Sequence, residues 1–171
     1  MPLTLSKVSV PAFVRGLNVL SDLLKKGEEY AAQAGIAPEA LLGARLAEDM
    51  LPLSAQVQRA SDASKFAVQR LSGGEAPKFA DDETSFAQLQ QRIANTIAYL
   101  EGVDGAQVDA GGDREVSLKF GSFGASFSGE SYLLTFALPN FYFHVVTAYD
   151  ILRNQGVKIG KLDYLGPFEA Q

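Results

Sequence analysis

Apolar residues recur along this chain with helical spacing. Phe13, Leu17, Leu20 and Leu24 step by four, three and four, which places them on one face of a helix from about Ser9 to Ala34. Pro11 suits an early helical position and Gly35 supplies the stop. Leu42, Leu46, Met50, Leu53, Val57, Ala60, Ser64, Ala67 and Leu71 hold helical phase from Pro38 to Ser72. They predict one helix of roughly 45 Å, bent at Pro52, whose ring clashes with the carbonyl of Glu48. A third stripe, Phe86, Leu89, Ile93, Ile97 and Leu100, follows a cap at Asp82 or Thr84. Gly102 to Asp113 reads as a connection. The period then switches to two: Val116, Leu118 and Phe120 alternate with Ser117 and Lys119. A turn over Gly121 to Gly124 and a return strand over Ala125 to Ser128 complete a hairpin. Ser128 caps a fourth helix that reaches Gln155, with a kink or break at Pro139, and Gly156 ends it. The tail from Gly156 to Phe168 reads as extended, docking Ile159, Leu162, Tyr164 and Leu165 on the helices.

Long amphipathic helices with short connections bury their stripes most simply as a bundle. The expected fold is therefore all-α: an antiparallel four-helix bundle with a small β-hairpin inserted before the last helix, one domain over residues 1–171. Composition narrows the function. Fifteen Lys and Arg stand against twenty Asp and Glu, a net charge of −5 with no basic stripe, so no nucleic-acid partner is expected. The longest apolar-rich stretch, Tyr132 to Ala148, is interrupted by Thr135, Pro139, Asn140, His144 and Thr147, so no membrane span is expected. Residues 1–15 lack the charge and apolar pattern of a signal peptide, and a cytoplasmic location is the expectation. There is no Cys, which excludes disulfides, zinc–thiolate sites and Cys nucleophiles. A single His excludes a site built on two or three imidazoles from this chain.

His144 is the one side chain that titrates near neutrality without perturbation. Asn140, His144, Thr147 and Ile151 share a helix face at the edge of the core stripe. His144 is then a ligand or general base, or a half-buried ring satisfied by a polar neighbour. The second helix offers Asp49 and Gln56, seven residues apart and nearly superposed on one flank, with Arg45 one turn earlier. They form a polar pocket opposite His144, or else a surface Arg45–Asp49 pair beside a solvated Gln56. Asp62 points to the polar side. The aromatics of residues 120–149 belong to the core, a ligand pocket or a dimer interface. Gly121 and Gly124 lack the Lys and Ser/Thr of a phosphate loop, and no Gly-x-Ser-x-Gly elbow occurs.

Pro139 to Gly166, PNFYFHVVTAYDILRNQGVKIGKLDYLG, resembles the last helix and tail of a bacterial branch, a domain of unknown function, of the DinB/YfiT-like superfamily. Ala44 to Gly73 resembles that branch's second helix. The superfamily consists of four-helix bundles, often dimeric, and many members hold a divalent metal with three His. One comes from the second helix and two from a His-x-x-x-His pair before a Leu-Arg-x-x-Gly helix end. Leu152, Arg153 and Gly156 match that end, so His144 takes the place of the second His, Asn140 that of the first, and Gln56 or Asp49 that of the second-helix ligand. The resemblance implies a degenerate metal site with no metal or other cofactor. The expected ligand-binding residues are His144, Asn140, Gln56 and Asp49. It implies a small-molecule-binding or stress-related accessory protein, a homodimer with a small-molecule ligand. The alternative is a metal- or His-dependent enzyme of the thiol-transferase or hydrolase type.

Overall fold

The computed structural model describes residues 3–167, apart from the side chains of Phe120 and Phe123. The described chain is mostly helical, with one small antiparallel hairpin. Helix α1 runs Leu5–Ala34. It begins earlier than its apolar stripe because Thr4 caps it, the hydroxyl accepting from the Lys7 N–H. Pro11 thus sits inside the helix rather than at its start. Gly35 ends it at φ 66°, a left-handed conformation that a Cβ would penalise.

The second predicted helix is two. Helix α2 spans Pro38–Leu42, α3 spans Leu53–Ser72, and the segment 43–52 between them is not helical. Proline is the reason. Pro52 cannot donate to Glu48, and it pushes Leu51 out of the helical region. Instead of bending a continuous helix, Pro52 adopts φ −71°, ψ 169° at the N-cap of α3, where no donor is required. Its carbonyl accepts from the Gln56 N–H, and the Leu53 N–H closes the loop on Ala44 O at 2.9 Å. Leu46, expected in the stripe, is 40% exposed.

Helix α4, Phe86–Gly102, is capped by Ser85 rather than Asp82 or Thr84. Ser85 and Gln88 form a capping box, each bonding the other's backbone N–H. The connection after it holds a short helix, α5 (Gly105–Asp109), capped by Asp104. Strands β1 (Glu115–Phe120) and β2 (Phe123–Ser128) pair from Glu115↔Ser128 to Phe120↔Phe123. The turn is therefore Gly121 and Ser122 alone, shorter than the spacing predicts. Ser128 caps α6 (Gly129–Tyr132) as expected. A π-helical turn, Leu133–Ala137, leads into α7 (Leu138–Asn154), with the Leu138 N–H reaching back five residues to Leu133 O. Pro139 lies at the start of α7, and the widened turn just before it relieves the clash that the sequence places there. The tail is not wholly extended: α8 covers Lys161–Leu165. Ile159 is buried as expected, whereas Leu162 is 73% exposed.

Helix α1 packs against α4 and α7, and α3 against the same two helices. Phe13, Leu17, Val57, Leu89, Phe141 and Val145 are fully or almost fully buried between them. The Phe141 ring lies over Gly16, where an added Cβ would stand 2.5 Å from Cε1, and meets Phe13 edge to face at 5.0 Å. A second close approach fixes the hairpin. A Cβ on Gly129 would stand 2.0 Å from Gly111 O, and one on Gly111 would stand 2.1 Å from Leu71 O. Backbone against backbone, the end of α3, the loop before β1 and the start of α6 form one joint. Charges pin the long loop after α3: Arg92 and Lys65, both buried, share Asp62, and Arg92 also binds Asp81 and Glu83. Among the described residues no helix is long and apolar enough to cross a membrane.

Candidate functional site

The break before α3 places Gln56 in the first turn of that helix, 1% exposed, with its side chain directed at the chain just upstream. Gln56 Nε2 donates to Leu51 O at 3.0 Å. Only the nitrogen of an amide can donate to a carbonyl, so Oε1 is left as an acceptor. His144 Nδ1 lies 2.7 Å from that oxygen. The chain of bonds therefore fixes the tautomer: Nδ1 carries the proton, and Nε2 carries the lone pair.

Burial pushes the His144 pKa down to about 4, and the nearby positive charge of Arg59 pushes in the same direction. The ring is neutral at pH 7. Phe143 meets it edge-on at 5.2 Å. His144 and Asn140 line a cavity of about 190 Å³ in the groove between α3 and α7, together with Arg59, Asp62, Phe66 and Arg70. Asp62 accepts from Arg92 and Lys65 and lies 3.4 Å from Arg59. Its carboxylate is thus already compensated by three cations.

Three of the four expected site residues meet here: Gln56 and His144 are bonded, and Asn140 lines the same cavity. Asp49 does not join them. It is exposed in the segment 43–52, because its expected position required the helix to run through Pro52. The Arg45–Asp49 pair does not form either, and Arg45 donates to the carbonyls of Glu48 and Met50. Asp62, expected on the polar side, faces the cavity. The sequence reading left Arg59 and Arg70 outside the site and placed Tyr132 only in an aromatic cluster open to core, pocket or interface. Arg59, Ala63, Phe66 and Arg70 do step by four, three and four, a second stripe beside the apolar one, and that was the available signal.

Residues 5–165 match the family described as a domain of unknown function, DUF1993. The chain belongs to that family. A crystal structure of a DinB family member from Shewanella denitrificans is similar to it, with 39% identity and a TM-score of 0.87 over 98% of this chain and 96% of that one. No curated protein matches it. The DUF1993 chain thus has a DinB-type relative, and the three-histidine metal site of that superfamily can be tested on its residues. They do not fit. Two of the three positions carry neutral amides, which bind divalent cations poorly without carboxylates. The one imidazole keeps Nε2 free, but a single nitrogen ligand with the positive charge of Arg59 beside it does not make a divalent-cation site. Among the described residues no group of three His, Cys, Asp or Glu is arranged to hold a metal ion.

Proposed function

We propose that this DUF1993 chain is a small-molecule-binding accessory protein, built as a DinB-type antiparallel four-helix bundle whose metal site has become a polar, metal-free cluster. The observation that carries this reading is the 2.7 Å bond from His144 Nδ1 to Gln56 Oε1, with Gln56 itself held by Leu51 O. A ring fixed in one tautomer at the wall of a cavity presents a preorganised acceptor, Nε2, to a ligand. The packing of α1 and α3 against both α4 and α7 supports the bundle.

The competing enzymatic reading uses His144 as a general base. A conjugate acid of pKa about 4 makes a weak one. Lowering the pKa by roughly 2.5 units reduces proton affinity about 300-fold. A fixed hydrogen-bond acceptor needs no such basicity, which favours binding over proton abstraction. The exposed Leu134, Tyr142, Phe143 and Val146 support a homodimer built on the α7 face. Light scattering at micromolar concentration should find a dimer, and a monomer would overturn that part. Elemental analysis after native, chelator-free purification tests the site itself. The expected metal content is far below stoichiometric, and one equivalent of Zn, Ni, Mn or Fe per chain would overturn the reading.

A further inference from the structure

The groove between α3 and α7 has a second polar end. From α3 it is lined by Arg59, Phe66 and Arg70, and from the facing chain by Tyr132, Asn140 and His144. Tyr132, Phe136, Asn140 and His144 are spaced by fours. In an α-helix that spacing overshoots one turn by about 40° per step, so such a row would wind off the groove. The π turn Leu133–Ala137 lies inside the row. Its i→i+5 bonding takes more than four residues per turn and reverses the drift. Tyr132 and His144 consequently face one groove, and π turns of this kind recur at functional sites.

At the far end Arg70 Nη1 donates to Tyr132 Oη at 2.8 Å, and the guanidinium lies over the rings of Phe66 and Tyr132 at 5.5 and 5.6 Å. These contacts orient the cation and bring no negative charge. Arg59 pairs with Asp62 and Asp81, and Arg92 with three carboxylates. Arg70 has no carboxylate partner among the described residues, and most of its N–H donors are uncommitted. At the near end His144 Nε2 and the Asn140 amide have no protein partner among the described residues, and neither is sealed from the cavity. Ala63 and Ala137 leave the middle of the groove open. A cavity of about 190 Å³ admits roughly seven or eight non-hydrogen atoms, so an occupant is short.

We infer that the groove binds a short linear hydroxycarboxylate, its carboxylate on Arg70, its chain beside Phe66 and Phe136, and its hydroxyl donating to His144 Nε2. This rests on the reading of His144 as a metal-free acceptor. A carboxylate is favoured over a phosphate because, among the described residues, Arg70 alone lines the site as an uncompensated cation; a dianion would require a second.

Titration calorimetry on the full chain, using 4-hydroxybutyrate and 5-hydroxypentanoate against butyrate, 1,4-butanediol and inorganic phosphate, tests the inference. The hydroxy acids should bind best, with the diol weaker by about tenfold or more. Arg70→Met should lose about tenfold or more in affinity at unchanged circular dichroism, and Arg70→Lys should recover part of it. Tyr132→Phe, which removes the phenol that positions Arg70, should weaken the acids and not the diol, and it serves if Arg70→Met does not fold. His144→Asn should erase the preference for 4-hydroxybutyrate over butyrate. The inference is overturned by a diol that binds as tightly as the acids, by phosphate binding more tightly than either, by an unaffected Arg70→Met, or by no binding at about 10 mM. Diol binding that depends on His144 but not on Arg70 would sink the carboxylate and leave the metal-free acceptor standing. Stoichiometric metal would sink that acceptor instead.

Discussion

Acidification should strain this protein before its carboxylates titrate, and His144 is the cause. In the unfolded chain its ring takes a proton near pH 6.5, while in the folded chain burial, helped by Arg59, delays this to about pH 4. Between those values the unfolded state binds more protons, so stability rises with pH through the window and falls on acidification. One pKa unit corresponds to about 1.4 kcal/mol. From pH 6.5 to 5 the loss is therefore about 2 kcal/mol, approaching about 3 kcal/mol at pH 4. The carboxylates act lower. Asp109 and Asp163 are held below their ordinary range by hydrogen bonds from the Ser6 backbone N–H and Lys26. Burial would raise Asp81 and Glu83, but Arg92 holds both low. Their contribution persists above the ordinary carboxylate pKa and fades only as pH falls through the lowered values, which leaves pH 5–6.5 to the histidine. Urea unfolding of wild type and His144→Asn across that range measures the effect. Asn cannot titrate, and its Nδ2 takes the place of Nδ1 as a donor to Gln56. The difference between the two proteins should shrink by about 2 kcal/mol from pH 6.5 to 5. Parallel curves, or an imidazole titration midpoint near 6.5 by NMR, would refute the reasoning.

Other outcomes follow from the same contacts. Gln56→Leu leaves Nδ1–H and Leu51 O without partners and should cost about 1–3 kcal/mol in urea unfolding; Gln56→Glu supplies an anionic acceptor and should raise the His144 pKa, read by NMR titration. Arg92→Met leaves Glu83 without a cation and takes one of the cations from Asp62 and from Asp81, which keep Arg59, and should destabilise by about 3 kcal/mol, with faster proteolysis of the loop after α3. Gly129→Ala drives a methyl onto Gly111 O, where no side chain can yield, and should cost about 3 kcal/mol or more in thermal unfolding. Gly16→Ala meets only the Phe141 ring, which can shift, and should cost less, about 1–3 kcal/mol.

The sequence alone determined the apolar faces. Phe13 to Leu24, Val57 to Leu71 and Phe86 to Leu100 hold the 3.6-residue period because each must bury one side, and that constraint is local and readable. It also offered Gln56, alongside Asp49, as a partner for His144 across two helices, one of two readings of those flanking positions that only the assembled structure separates. Periodicity could not tell that the stripe positions Leu46 and Met50 are not helical. The pattern continues through Pro52, while the backbone stops there for want of one donor. Asp49 was misplaced for that reason. Nor could spacing reveal the π turn, because widening a helix by part of a residue depends on what Tyr132 and Phe136 pack against. The charge state of a residue is likewise a tertiary property. Asp62 reads as a surface acid until Arg92 arrives from α4 to join its helix neighbours Arg59 and Lys65, and Arg70 reads as a surface base until Tyr132, 62 residues on, is found to hold it against the groove. Desolvation and pairing depend on all the neighbours at once, and only the assembled chain supplies them.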